Sequence, residues 1–321
     1  MPMAVKISQF LFFLGCSCFM YLRVMTFDWR MIVPQFLLQT YRKWKRNQRN
    51  LSLDKQRITG DVKTFESLRK DFIDAGLHNG SHVMVHASLS KIGYIEGGAE
   101  TLIRALKETI GHEGIILMPT SPISKLQLDY VLSNPIFDVR STPSAMGKIS
   151  EVFRTSEGVV RSLHPTEPIA AWGNSALEYV KDHEAGITPY HEASPYRKLM
   201  KNKGVILYIG VSLDNAGTHL HTLEDALDVK LPVYHDDVFK LNVISYSGEK
   251  KVVETKVHNP EQSRKRRCDE LLPMFLAANV YQVSQIGDAK TLVFDAEKMF
   301  DCMVKNYKEK EITMYNPKGN Q

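Results

Sequence analysis

The chain has 321 residues, room for one large domain or two small ones, and its 43% hydrophobic and 24% charged content is ordinary for a folded protein. The net charge of +5 is unevenly spread: residues 1–50 hold eight basic side chains against Asp28 alone, and the remainder is slightly acidic, so the basicity belongs to an appendage and no nucleic-acid partner is expected. Cys16, Cys18, Cys268 and Cys302 have neither zinc-site nor disulfide-framework spacing, which points to free thiols in a reducing compartment.

Residues 10–22 (FLFFLGCSCFMYL) are almost continuously apolar but fall short of the roughly 20 residues a helix needs to span a bilayer. A second apolar patch at 31–38 contains Pro34, and the basic tract YRKWKRNQR follows at 41–49. Arg23 sits where a signal-peptide cleavage site would lie. Residues 1–50 are therefore expected to associate with a membrane surface, with residues 8–38 either dipping into it or spanning it. Positive charge after the apolar pieces would keep the rest on the cytoplasmic face. A soluble helix packed on the domain or on a partner subunit is the competing reading. Residues 50–62 read as a polar linker.

The main domain is expected over 58–310, with a polar tail at 311–321. Residues 64–75 form an amphipathic helix stopped by Gly76, and 82–87 a buried strand. A polar loop at 88–98 leads to a helix at 99–110, with Leu102, Ile103, Leu106 and Ile110 on one face, and to a strand at 114–119. Strand, helix, strand favours a parallel pair in an α/β sheet. Residues 120–141 read as one long irregular stretch, a length that tends to be functional. Thr142-Pro143 then opens a helix to Arg154, with threonine as cap and proline at the first helical position. A strand at 169–172, a helix at 176–183 and a helix opened by Ser194-Pro195 follow. Later, strands at 238–246 and 251–257 flank the hairpin signal Ser247-Gly248. Residues 269–278 are helical, 281–287 and 290–294 are strands, and a helix at 295–307 closes the domain.

Residues 205–227, VILYIGVSLDNAGTHLHTLEDAL, concentrate the chemistry. An apolar strand ends at Gly210, a polar loop follows, and Thr218 reads as the cap of a helix. His221 and Glu224 stand three apart and so share one face. Spacing alone leaves two readings: a general base with a partner carboxylate, or a helix-start histidine beside a solvated acid. The loop at 88–98 offers the Ser88 and Ser90 hydroxyls, Gly97-Gly98 and main-chain N–H groups at a helix start; a bound diphosphate and a plain capped turn both suit it. Neither a Walker motif nor GxGxxG is present, so triphosphates and dinucleotides are not indicated.

The ordered set VHASLSKIGYIEGGAETLIRAL, GIILMPT, TPSAMGKISEVFR, VVRSLHP, AAWG, Ser194-Pro195 and GVSLDNAGTHLHTLE resembles the aminoglycoside 3-N-acetyltransferase family over about residues 60–305. The resemblance implies one α/β/α domain around a mixed sheet, carrying here an N-terminal helical appendage. It implies transfer of an acetyl group from acetyl-CoA to an amine of an amino sugar or aminoglycoside, without a metal. By that resemblance Ser88, Leu89 and Ser90 would hold the phosphates or pantetheine of the cofactor, and Thr142, Ser144 and Met146 would line the same cleft from the facing helix. His221 would be the base of the TxxHxxE pattern formed by Thr218, His221 and Glu224. Glu224 or Asp214 would orient its ring. His164 is a second candidate, as a substrate contact or a loop-fixing hydrogen bonder. Asp214 and Glu184 are candidate substrate contacts, and Cys268 and Cys302 read as structural. A metal-dependent hydrolase built on His219, His221 and Asp214, and a non-catalytic binding protein of the same fold, are the alternatives. Oligomeric state is left open, a homo-oligomer included.

Overall fold

The computed structural model describes residues 35–227 and 229–320. The chain divides into two compact units, Met1–Ser52 and Leu53–Gln321. The apolar stretch at 10–22 and the start of the second patch lie outside the described residues. Helix α1 (Gln35–Thr59) takes in the basic tract and also residues 50–59, which were expected as linker. The reason is local: no glycine or proline interrupts the chain from 35 to 59, and Gly60, at φ 76°, ends the run. Among the described residues no helix is long and apolar enough to cross a membrane.

In the second unit, α2 (Phe65–Asp74) opens with a capping box in which Thr64 and Ser67 exchange side-chain and backbone hydrogen bonds. Then come β1 (His82–Ala87), the one-turn α3 (Leu89–Ile92), α4 (Gly98–Ile110) and β2 (Ile115–Pro119). The stretch at 120–141 is less irregular than expected, since it forms α5 (Gln127–Leu132) and β3 (Ile136–Asp138). Helix α6 starts only at Lys148 and ends at Arg154. The cap expected at Thr142 is not made: the Thr142 hydroxyl accepts from the Asp138 N–H at 2.9 Å and closes a turn instead. Thr142, Ser144 and Met146 therefore stand on a loop before the helix, not on it.

The chain continues through β4 (Val160–Arg161), β5 (Ile169–Trp172), α7 (Ala176–Val180), α8 (Pro195–Lys201) and β6 (Val205–Ile209). Ser194 caps α8 by accepting from the Arg197 N–H, with Pro195 in the first turn. Helix α9 (Leu213–Ala216), a 3-10 turn (Thr218–His221) and α10 (Thr222–Ala226) follow. Thr218 lies inside that turn rather than capping a helix. The late part comprises β7 (Phe239–Ile244), β8 (Lys250–Thr255), α11 (Pro260–Ser263), a 3-10 turn (Cys268–Leu271), α12 (Leu272–Ala277), β9 (Tyr281–Ile286), β10 (Ala289–Asp295) and α13 (Ala296–Lys310).

The main sheet is mixed, in the order β4-β5-β2-β1-β6-β10-β9. β1 runs parallel to both β2 and β6, and the outer pairings are antiparallel. Alternation along the strands sorts the core onto two faces. Val83, Val85, Leu207 and Ile209 face Leu68 and Phe72 of α2, Leu102 and Leu106 of α4, and Phe153 of α6. Met84, Ile206 and Tyr208 face Tyr196 and Leu199 of α8 and Met299 and Met303 of α13. This is the expected α/β/α layering. The hairpin of β7 and β8 is also as expected, but it joins β3 in a second, three-stranded sheet with its own small core at Phe137, Val139, Val243 and Val253. Buried Arg161 ties the two sheets together. Its backbone N–H donates to the Tyr246 hydroxyl at 2.6 Å, and its guanidinium serves Thr120 and the Thr142 carbonyl.

Candidate active site

The strand order fixes where a site belongs. The chain goes from β1 to β2 on one side and reaches β6 on the other, so the carboxyl ends of β1 and β6 bound a switch point, where loops diverge and leave a crevice. Both sequence-identified loops leave from there. The Ser88 N–H donates to the Ile209 carbonyl at 3.0 Å, which locks the two exits together. Gly210, at φ 65°, lets the second exit pass α3: a Cβ there would stand 2.5 Å from Lys91 Cβ. One residue inside the strand ends, His86 stacks on Tyr208, with ring centroids 5.1 Å apart.

His221 and Glu224 come together as the spacing implied. His221 Nδ1 lies 2.6 Å from Glu224 Oε2, and the two side chains are 2% and 3% exposed, so Glu224 is no solvated acid. The next turn brings in residues not singled out from the sequence. Arg266 Nη1 sits 3.2 Å from His221 Nε2, and the His258 ring lies 4.0 Å from the His221 ring, centroid to centroid. The two imidazoles are tilted 32° to one another, Tyr190 packs against both of them, and Tyr234 stacks on His258. The hydrogen bonds settle the tautomer: an arginine can only donate, so Nε2 accepts and Nδ1–H donates to the carboxylate.

Burial, and then the Arg266 charge, hold the His221 imidazole well below its ordinary pKa, so it is neutral at pH 7. Burial pushes Glu224 up to about 7, with nearby His258 pulling the other way, and the Tyr315 hydroxyl faces its carboxyl group. A cavity of about 240 Å³ opens beside Glu224, lined also by Val229, Leu231, Tyr234, Asp236 and Lys256.

The other candidates separate. His164 is fully buried, and its Nδ1 accepts from the Thr166 hydroxyl at 3.3 Å and the Glu167 N–H at 3.4 Å, the loop-fixing arrangement. Glu167, raised to about 7 by burial, accepts from Gln127 at 2.6 Å, and Gln127 in turn accepts from the His258 N–H at 3.0 Å. The His164 loop is thereby joined to the His258 side of the site. Asp214 is bound elsewhere: its carboxylate accepts from the Asp269 N–H at 3.1 Å, and its own N–H donates to the Asp269 carboxylate at 3.3 Å. Glu224, not Asp214, therefore orients His221. Glu184 stands half-buried in the turn after α7. His183, one residue before Glu184, is wholly buried between the Ser162 hydroxyl and the Pro189 carbonyl.

Ser88 follows the end of β1 as the cap position of α3, and Leu89 and Ser90 begin that helix. Ser144 donates its N–H to Glu151 at 2.7 Å, and Met146 is exposed. His219 is buried against Tyr196, whereas Asp214 is exposed, so the trio of a hydrolase centre is not assembled. Among the described residues the one group of ligand-type side chains within reach of a common point is His221, Glu224 and His258, and there both His221 nitrogens are already engaged. Cys268 and Cys302 are buried, with the Cys268 thiol pushed up to about 12 by burial, in keeping with a structural role.

A seven-stranded mixed sheet between two helical layers, with a buried imidazole–carboxylate pair in the segment after β6, is the frame of an α/β enzyme. The model of the aminoglycoside 3-N-acetyltransferase family matches residues 84–308, and the chain belongs to that family. It is 29% identical over 257 residues to an SPbeta prophage-derived aminoglycoside N(3')-acetyltransferase-like protein, YokD, of Bacillus subtilis, covering 74% of this chain and 90% of that one. Aminoglycoside N(3)-acetyltransferase IX of Micromonospora chalcea is 25% identical over 265 residues, covering 77% and 94%. Among solved structures, aminoglycoside acetyltransferase AAC(3)-Xa superposes with a TM-score of 0.67 at 26% identity, over 77% of this chain and 93% of that one. AAC-IIIb, solved with CoASH, shares the fold at a TM-score of 0.66 and 24% identity, over 77% and 97%.

Proposed function

We propose that this protein transfers an acetyl group from acetyl-CoA to an amine of an amino sugar or aminoglycoside, directly and with His221 as general base. The observation that carries this reading is the buried hydrogen bond of 2.6 Å between His221 and Glu224, which leaves Nε2 as the only basic nitrogen of the ring. The free amine attacks the thioester carbonyl, and its proton passes to His221 Nε2 as the carbon–nitrogen bond forms. Glu224 steadies the imidazolium. The tetrahedral intermediate collapses, the carbon–sulfur bond breaks, and the CoA sulfur leaves with the proton returned from the ring. No acyl-enzyme is needed, which agrees with cysteines that are buried and poorly ionised. Acetyl-CoA as donor is supported by the family and by the seat at the end of β1. There Ser88 and Ser90 stand beside α3, and Gly97, at φ 73° and without a side chain to cap it, begins the 13-residue α4.

We also infer, from the apolar and basic patterning of residues 1–50, that this segment sits on the cytoplasmic face of a membrane, where the exposed Tyr41, Lys43, Trp44, Lys45 and Arg46 of α1 would lie at an anionic surface. Sedimentation with anionic vesicles, full chain against a chain lacking residues 1–50, tests that placement: equal partition removes it. The catalytic reading is tested by acetyl-CoA consumption with aminoglycosides and with nucleotide- or lipid-linked amino sugars, beside His221→Ala. Turnover lost with CoA affinity kept is expected; acetyl-CoA binding with no turnover on any acceptor would favour a non-catalytic binding protein.

A further inference from the structure

Arg266 is placed where the reaction needs open space. Nδ1 of His221 is committed to Glu224, so the proton of the attacking amine has to reach Nε2, and Nε2 is covered by the Arg266 guanidinium at 3.2 Å. The guanidinium donates there to a neutral imidazole and, through Nε, to the Ser263 carbonyl at 3.1 Å, and it acts on the Glu224 and Glu167 carboxyl groups only through space. Among the described residues no carboxylate lies within ion-pair distance of it, nor of Arg264, Lys265 or Arg267, which complete four consecutive basic residues. The nearby acids are otherwise engaged. Glu224 serves His221, Glu167 serves Gln127, Asp225 takes Thr188 and Tyr234, and Asp269 takes Asp214. Asp236 and Lys256, one acid and one base, both line the cavity beside Glu224. A planar cation with five donors is matched best by a carboxylate or a phosphate.

We propose that Arg266 is an acceptor-binding residue that covers the His221 lone pair in the free enzyme and turns onto an anionic group of the acceptor, so that this enzyme selects amines carrying their own carboxylate or phosphate over polycationic ones. The inference rests on the acetyl-transfer reading and narrows its acceptor. An arriving anion draws the guanidinium off Nε2 and uncovers the base in the same movement, whereas a polycation meets like charge at the rim and leaves the base covered.

The test compares acetyl-CoA consumption with glucosamine, glucosamine 6-phosphate, a 2-amino uronic acid and a polycationic aminoglycoside, for the full chain and its Arg266→Ala, Arg266→Lys and Arg266→Glu variants. Wild type is expected to favour one anionic acceptor over glucosamine at least 10-fold in kcat/KM, the favoured arm telling phosphate from carboxylate. Arg266→Ala erases most of that ratio, chiefly through KM; Arg266→Lys, which keeps the charge, retains part of it and guards against misfolding; Arg266→Glu shifts preference toward the polycation. Wild-type preference for the polycation, or equal losses on charged and neutral acceptors in Arg266→Ala, would overturn the proposal. Should no acceptor turn over, calorimetric titration of the CoA-loaded protein decides it. Binding of an anionic amino sugar that depends on Arg266 upholds the inference while the acetyl-transfer reading falls; binding that ignores Arg266 ends it.

Discussion

Replacing Glu224 by glutamine isolates the charge of the carboxylate, because the amide keeps the shape and an acceptor oxygen for His221 Nδ1–H. The bare attraction between unit charges 2.6 Å apart is about 6 kcal/mol at an effective permittivity of about 20, an upper bound for what the imidazolium could gain. A hydrogen bond to a charged partner is worth about 2 kcal/mol more than one to a neutral partner, so kcat should fall about 30-fold at pH 8. Burial sets Glu224 near 7, so at pH 6 the wild-type carboxyl is mostly protonated, and the gap between the two enzymes should shrink to about 3-fold or less. Stability should move the other way. A carboxyl whose pKa is raised on folding, here from 4.5 to about 7, adds stability that is full below 4.5 and is lost as pH rises through 7. Glutamine has no such loss, so the variant should be more stable than wild type at pH 8, by an amount on the order of 3 kcal/mol at most. Steady-state kcat from pH 5.5 to 8.5 and urea unfolding at pH 8 read both effects. A loss of the same size at pH 6 and pH 8, or one below 3-fold at pH 8, would refute the electrostatic account.

Three more outcomes follow from the same structure. His221→Ala should lower kcat by about 100- to 10,000-fold, the range of general-base loss, with the CoA dissociation constant measured by calorimetry little changed. Arg161→Met should destabilise the fold by roughly 3 kcal/mol in urea unfolding, since it leaves the buried Thr120 and Thr142 carbonyls without their donor. Thr64→Ala removes one arm of the capping box of α2 and should cost about 1 kcal/mol with an unchanged denaturant slope.

The sequence exposed the parts of this protein whose signals are local. Alternation and the 3.6-residue period placed β1, α4, β2, β6 and the closing helix within a few residues, and Ser194-Pro195 marked α8 because cap and proline act on adjacent residues. The same dipeptide logic failed at Thr142-Pro143, where the threonine hydroxyl was taken by a turn to Asp138, a competition between two local bonds that composition does not decide. β3 was missed because three residues form a strand only when β7, a hundred residues later, supplies the pairing edge. In the site, His221 and Glu224 were legible at three-residue spacing. Arg266 and His258 were not, since they arrive from after β8 and nothing in their neighbours marks a direction. A run of four basic residues just before a helical turn was the one available hint, and a charge run carries no address for its partner.

The segment after α13 constrains where the chain can be cut. Met314 is buried, its carbonyl receives the Arg267 N–H at 2.7 Å, and Tyr315 faces Glu224. The arginine-bearing loop and the surroundings of Glu224 are thus completed by residues that follow the closing helix. A tag or a protease cut placed before position 314 would therefore strip contacts from the main core and from Glu224 together.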